Sequence, residues 1–175
     1  RRRTDLTQWQ SKATKVAFSG LMLALTLVLS YVESLLPLTI GIPGVKLGLA
    51  NLAVLLTLYA SGWQMALGID VLRVVLSGFL FGNFAAILYS MAGALVSFGA
   101  MVLLKRFRFS MSTVSIAGGV FHNLGQLVVA VCVVENLHLF YYLPWLIVAG
   151  MITGALIGIV ARVTWRYVNR MWQEY

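Results

Sequence analysis

Two oppositely charged side chains stand three residues apart inside the third apolar stretch of the sequence. Asp70 and Arg73 lie about 10 and 15 Å along a helix that starts at Trp63. This spacing puts both on one helical face, which Ser77 extends, and each side chain lowers the cost of burying the other. Arg73 is therefore a candidate to bind an anionic or carbonyl group while Asp70 orients it. The alternative is a purely structural ion pair.

A second polar set interrupts the fifth apolar stretch, where His122, Asn123 and Gln126 lie together. Gly118, His122 and Gln126 recur every four residues, which places them on one stripe of a helix. Hydrogen bonds between helices in a membrane stabilise by only about 0.6 kcal/mol on average, so packing alone does not require three such side chains. We therefore favour a ligand site. A metal site is disfavoured because His138 is the only other histidine.

Polar residues also flank the loop between the first two apolar stretches. Glu33 lies near the end of the first stretch, and Lys46 and Asn51 lie at the start of the second. The turn-forming residues of the loop between them are Gly41, Pro43 and Gly44. We expect this loop to fold back as a lid over a cavity lined by these polar residues, Arg73 and the His122 set. Solvated loop charges are the alternative for Glu33 and Lys46.

The sequence carries no recognisable catalytic arrangement. It has no P-loop, so it would not power transport with a nucleotide site of its own. Its five carboxylates stand too far apart along the chain to form the magnesium clamp of diphosphate-transferring enzymes. A single cysteine, Cys132, cannot form an intrachain disulfide or, alone, a zinc site. We expect binding without covalent chemistry, with no cofactor and no metal, and not an enzyme.

The elements that position these residues must be membrane helices. Of the 175 residues, 61% are apolar and only 10% are charged, against about 45–50% and 25% in soluble domains. Six apolar stretches, each interpreted as a transmembrane helix, cover 14–36, 47–59, 63–81, 84–104, 113–134 and 142–165. The sequence thus predicts an all-α integral membrane protein with a six-helix domain over 14–165, a basic segment over 1–13 and a tail over 166–175.

Basic residues are distributed unevenly about these stretches. With the N-terminus inside the cell, only Lys46 of the thirteen lies in an outer loop and Arg73 lies within a span, while the other eleven lie at or beyond the cytoplasmic ends of the stretches. Because lysine and arginine favour that side, both termini are predicted to be cytoplasmic. The net charge of +8 follows from these flanks, so it does not indicate a nucleic-acid partner.

Two stretches carry small residues at helical spacing. Every fourth residue over Gly150–Gly158 is glycine, and we expect close internal packing on that face. A second small-residue ridge, on the first stretch, consists of Ala13, Ala17, Gly20 and Ala24. Because this ridge lies beside the basic end of its helix, it is a candidate surface for docking another membrane protein.

Several blocks of sequence resemble one known family. They are YVESLLP over 31–37 followed by IPGVKLGLANL over 42–52, LRVVLSG over 72–78, SIAGGVFHNLGQ over 115–126 and YLP over 142–144. Across 17–161 the chain is similar to the Gx transporter family, which is also named heptaprenyl diphosphate synthase component I.

The resemblance implies a likeness to the S components of energy-coupling factor (ECF) transporters, six-helix proteins of bacterial or archaeal cytoplasmic membranes. They bind a small solute near the outer face and dock, through small residues of the first helix, onto a transmembrane coupling subunit driven by two ATPases. Here it implies a solute site formed by Glu33, Lys46, Asn51, Arg73, His122, Asn123 and Gln126. It also implies docking through the Ala13–Ala24 ridge, although Lys15 departs from the docking motif.

Two other functions remain open. The family's second name implies a membrane accessory to heptaprenyl diphosphate or quinone synthesis, although this chain lacks the aspartate clusters of the soluble synthases. A stand-alone secondary transporter would use Asp70 and His122 as a proton relay. On the leading hypothesis the partners are a small polar or anionic solute, an ECF coupling subunit with its ATPase pair, and membrane lipid.

Overall fold

Six α-helices follow one another in the computed structural model, which describes residues 12–35 and 48–174. They are α1 (Lys12–Leu35), α2 (Asn51–Ser61), α3 (Trp63–Phe81), α4 (Phe84–Arg106), α5 (Met111–Val134) and α6 (Leu143–Glu174), with a 3₁₀ helix at Leu137–Tyr142 before α6. No strand occurs in these ranges. The all-α prediction is confirmed, and α3 has the predicted bounds because Gly62 and Gly82 interrupt the helix on either side.

The second helix is shorter than a membrane span. Its 11 residues extend over about 16 Å, whereas the hydrocarbon core of a bilayer is about 30 Å thick. The other five helices are long and apolar enough to cross a membrane, by length and composition. Within the described residues six helices are present and five of them have the length of a span, so the prediction of six spans is not confirmed.

A turn at Gly48 explains why α2 begins at Asn51 rather than at the predicted Leu47. Gly48 has a φ of +77°, in the left-handed region that glycine adopts readily. Its carbonyl accepts a hydrogen bond from the Asn51 N–H at 2.9 Å. The chain therefore turns tightly here before it becomes helical.

Successive helices run in opposite directions, so the bundle has two distinct ends. At the first, which we call the Glu33 end, the Tyr31 ring of α1 lies 5.0 Å from the Phe81 ring of α3. At the second, the Lys105 end, the Lys105 ammonium of α4 donates to the carbonyl of Leu58 in α2. α1, α3 and α5 thus finish at the Glu33 end, where α2, α4 and α6 begin.

Glycines let α5 and α6 approach with their backbones in contact. A Cβ atom built at Gly154 would lie 2.7 Å from Cα of Ile116, and one at Gly119 would lie 2.4 Å from the Gly150 carbonyl oxygen. These distances leave no room for a methyl group on either helix. The expected close internal packing of the Gly150–Gly158 face is confirmed, and it holds α5 in place for the polar residues it carries.

Candidate functional site

Polar side chains fill much of the interior of the bundle, whereas large apolar side chains cover its outside. Each of the first five helices contributes some of the buried polar side chains. Those with at most 6% of their surface exposed are Thr26, Ser30, Glu33, Asn51, Thr57, Asp70, Arg73, Ser77, Ser90, Ser97, Ser115, His122, Asn123 and Gln126. These residues lie beside a hydrophobic core that includes Val54, Leu55 and Val114, and burying a polar group is favourable only where it is hydrogen-bonded.

The ion pair predicted within α3 is present. Nε and Nη2 of Arg73 both donate to Oδ1 of Asp70, at 3.1 and 2.5 Å, and the side chains are only 4% and 2% exposed. Among the described residues Arg73 has no other hydrogen-bond partner. Two of its five N–H donors are therefore directed at one carboxylate oxygen, and the others remain available to a further group.

Glu33 connects the end of α1 to the start of α2. Its Oε1 accepts a hydrogen bond from the backbone N–H of Gly48 at 2.5 Å. A Cβ atom built at Gly48 would lie 3.2 Å from Nδ2 of Asn51, so Glu33 and Asn51 flank the same turn. Since Glu33 is 6% exposed, the alternative that it is a solvated loop charge is wrong.

The polar set of α5 divides between two neighbouring helices. His122 and Gln126 face α4, because a Cβ atom built at Gly93 would lie 3.0 Å from Cε1 of His122 and 2.8 Å from Cγ of Gln126. Asn123 instead faces α6, where its Nδ2 donates to the carbonyl of Leu146 at 2.9 Å. Adjacent residues of a helix point about 100° apart, so Asn123 points away from the direction that His122 and Gln126 share.

Other residues singled out in the sequence either fall outside the described ranges or belong to the surface ridge of α1. Lys46 and the lid residues Gly41, Pro43 and Gly44 fall outside the described ranges. In the docking ridge, Ala13 lies in the first turn of α1, while Ala17, Gly20 and Ala24 are exposed. Nothing lies within 4 Å of a Cβ atom built at Gly20, so the described part of the bundle leaves this ridge uncovered.

The structure adds two residues that the sequence interpretation missed, Ser30 of α1 and Ser90 of α4. Both are 3% exposed, and neither hydroxyl has a hydrogen-bond partner in the part of the chain that is described. A buried hydroxyl without a partner costs about 1–3 kcal/mol, and such groups in native proteins commonly meet water or a ligand. The spacing of Thr26, Ser30 and Glu33 on one face of α1 is the signal that could have identified Ser30.

These side chains offer several kinds of hydrogen-bonding and charged groups. Arg73 offers charged donors, Ser30 and Ser90 offer hydroxyls that donate or accept, and Glu33 and Asp70 are acceptors. Within the described ranges no three histidine, cysteine or carboxylate side chains stand close enough to hold a metal ion. Together these groups could donate to and accept from a small polar or anionic molecule through hydrogen bonds and charge.

A family model agrees with the resemblance seen in the sequence. The model described as heptaprenyl diphosphate synthase component I matches residues 22–164, a range that contains all the buried polar side chains named above. The chain has no significant match among curated proteins or among solved structures. Because the matched range covers well over half of its length, the chain belongs to the heptaprenyl diphosphate synthase component I family.

Proposed function

We propose that this protein captures a small polar or anionic solute inside its helical bundle, as the substrate-binding subunit of an ECF-type importer. The observation that carries the proposal is the buried guanidinium of Arg73, which has only Asp70 as a partner among the described residues. An anionic or carbonyl group of the solute would accept from its remaining donors. Asp70 would hold the guanidinium in position.

Energetics favour this interpretation over a purely structural ion pair. Burying two charges costs several kcal/mol each, and the attraction between them often does no more than offset that cost. A pair retained only for stability gains most when two donors meet two oxygens, whereas Arg73 directs both donors at Oδ1 of Asp70. A solute that uses the remaining donors explains why a charged pair lies inside an apolar bundle.

Two hydroxyls, on two of the helices that pack against α3, support a site on the Glu33 side of Arg73. Ser30 lies on α1 one residue before Tyr31, whose ring contacts Phe81 at the end of α3. Ser90 lies on α4 one turn after Ile87, which packs on Gly78 of α3. Both hydroxyls therefore lie between the level of Arg73 and the Glu33 end of the bundle. A solute that enters from that end would give each of them a hydrogen-bond partner.

Charge indicates which end faces outward. Basic side chains at the Lys105 end are Lys15, Lys105, Arg106, Arg108, Arg162 and Arg166. By the preference of lysine and arginine for the cytoplasmic side, this end and both chain termini are cytoplasmic. The Glu33 end is then the outer one, so the solute is captured from outside the cell.

Native mass spectrometry of the detergent-extracted protein tests the proposal. The wild type is expected to retain a small molecule, and Arg73→Met is expected to lose it because its guanidinium donors are gone. Arg162→Gln removes the same charge at an exposed position and serves as the matched control. A variant Arg73→Met that folds and retains the molecule as well as the control does would refute the proposal.

The family description supports a second candidate, a membrane accessory to heptaprenyl diphosphate synthesis. In that case the protein would hold a soluble prenyl synthase at the membrane, where its lipid product is released. Co-purification with such a synthase, together with an increase in its activity, would favour this function. Co-purification with a transmembrane subunit and two ATPases would favour the importer.

A further inference from the structure

A cavity lies at the Lys105 end, away from Arg73. Its volume is about 620 Å³, and its lining residues are Leu58, Gly62, Trp63, Val102, Lys105 and Arg106. These residues come from the end of α2, the start of α3 and the end of α4. Arg73 lies ten residues, or about 15 Å, further along α3 from Trp63, so this cavity is separate from the proposed solute site.

The cavity combines apolar walls with two positive charges. Lys105 donates to the carbonyl of Leu58 at 2.5 Å, and its ammonium lies 4.8 Å from the centre of the Tyr59 ring. Among the described side chains neither Lys105 nor Arg106 has a carboxylate partner, since Asp70 with Arg73 is the ion pair found there. The lining of the cavity therefore combines two positive charges with the apolar side chains of Leu58, Trp63 and Val102.

We propose that this cavity binds an anionic phospholipid, with the phosphate at Lys105 and Arg106 and the upper part of an acyl chain along the apolar wall. Basic pockets between helices at the cytoplasmic end of a bundle bind such headgroups. Trp63 is 53% exposed, and tryptophan favours the level of the headgroups. A free phosphate would use the charges but would leave the apolar wall without a partner.

A bound lipid would also fix the short helix α2. Lys105 holds the carbonyl of Leu58, and cations near the end of a helix stabilise it. A phosphate beside Lys105 would keep this side chain at the end of α2, and the acyl chain would fill the gap between α2 and α4. The lipid site rests on the membrane location and the proposed orientation of the bundle, and it does not depend on the proposed solute site.

Lipid binding in detergent, followed by native mass spectrometry, tests the inference. The wild type is expected to bind phosphatidylglycerol in preference to phosphatidylcholine. Arg106→Gln is expected to weaken phosphatidylglycerol binding about fivefold, the effect of removing one basic residue near the phosphate. Arg166→Gln, an exposed change of the same charge at the same end that does not line the cavity, should leave binding unchanged.

A second variant distinguishes lipid binding inside the cavity from a general attraction of anionic lipid to positive charge. Val102→Phe fills the cavity but keeps both cations, so it should also weaken phosphatidylglycerol binding. Equal binding of the two lipids, or equal effects of Arg106→Gln and Arg166→Gln, would overturn the inference. Competition by inorganic phosphate that is as effective as competition by phosphatidylglycerol would assign the site to a free anion and would also overturn it.

Discussion

The backbone N–H of Gly48 donates a hydrogen bond to Oε1 of Glu33 at 2.5 Å, although 15 residues separate them in sequence. This contact ties the last turn of α1 to the turn that begins α2. It buries a carboxylate at the Glu33 end of the bundle and places Asn51 beside it. On the importer proposal, these residues stand at the entrance to the solute site.

Removing the Glu33 carboxylate should loosen that connection. Glu33→Ala is expected to lower the free energy of unfolding in detergent by about 1–3 kcal/mol, because the Gly48 N–H loses a charged acceptor. Glu33→Gln keeps an acceptor oxygen and should lose less than half as much. Equal losses in the two variants would mean that this hydrogen bond does not stabilise the fold.

The Asp70–Arg73 pair should show strong coupling in stability. Arg73→Met leaves the Asp70 carboxylate buried without its partner and is expected to cost about 3–5 kcal/mol. Adding Asp70→Asn removes that charge and should restore at least half of the loss, as measured by a double-mutant cycle in detergent. Solute binding should not return in the double variant. Additive losses would contradict the coupling.

A substitution at Ser90 should affect solute binding without lowering stability. Its buried hydroxyl has no partner in the described part of the chain, so Ser90→Ala should leave the melting temperature unchanged or raise it. If the hydroxyl contacts the solute, the same variant should bind the solute about two- to tenfold more weakly, the effect of one lost hydrogen bond. Ser97→Ala is the control, because the Ser97 hydroxyl donates to the Gly118 carbonyl at 2.8 Å and its loss should lower stability instead.

The contact between α5 and α6 should not tolerate a methyl group. At Gly154 a Cβ atom would lie 2.7 Å from the backbone of Ile116, and Gly154→Ala is expected to cost about 1–3 kcal/mol by overpacking. Gly99 is a helical glycine with nothing within 4 Å of its Cβ position. Gly99→Ala should therefore not destabilise the protein, and thermal unfolding of the two variants in detergent compares them directly.

The small-residue ridge on α1 should be needed for binding a partner subunit but not for the stability of the fold. A Cβ atom at Gly20 meets nothing within 4 Å, so Gly20→Leu is expected to leave the melting temperature unchanged. On the importer proposal it should reduce co-purification of the coupling subunit by at least fivefold, because a large side chain keeps the partner helix away. Gly68→Leu, at an equally open glycine of α3, is the matched control and should co-purify normally.

The sequence by itself determined the features that depend on neighbouring residues. The bounds of α3 follow from the glycines that flank an apolar run, and the Asp70–Arg73 pair follows from a spacing of three within one helix. The same reasoning identified the glycine face of α6, since residues four apart share a face whatever surrounds the helix. Such local features follow from helical geometry alone.

Only the tertiary structure decided which helix each face meets. Asn123 turns to α6 while His122 turns to α4, and Ser90 turns inward on α4. The contact of Glu33 with Gly48 depends on a turn whose register no helical repeat predicts. The physical reason is that helical periodicity fixes the angles between residues of one helix, whereas the rotation of that helix about its axis is set by packing against all its neighbours.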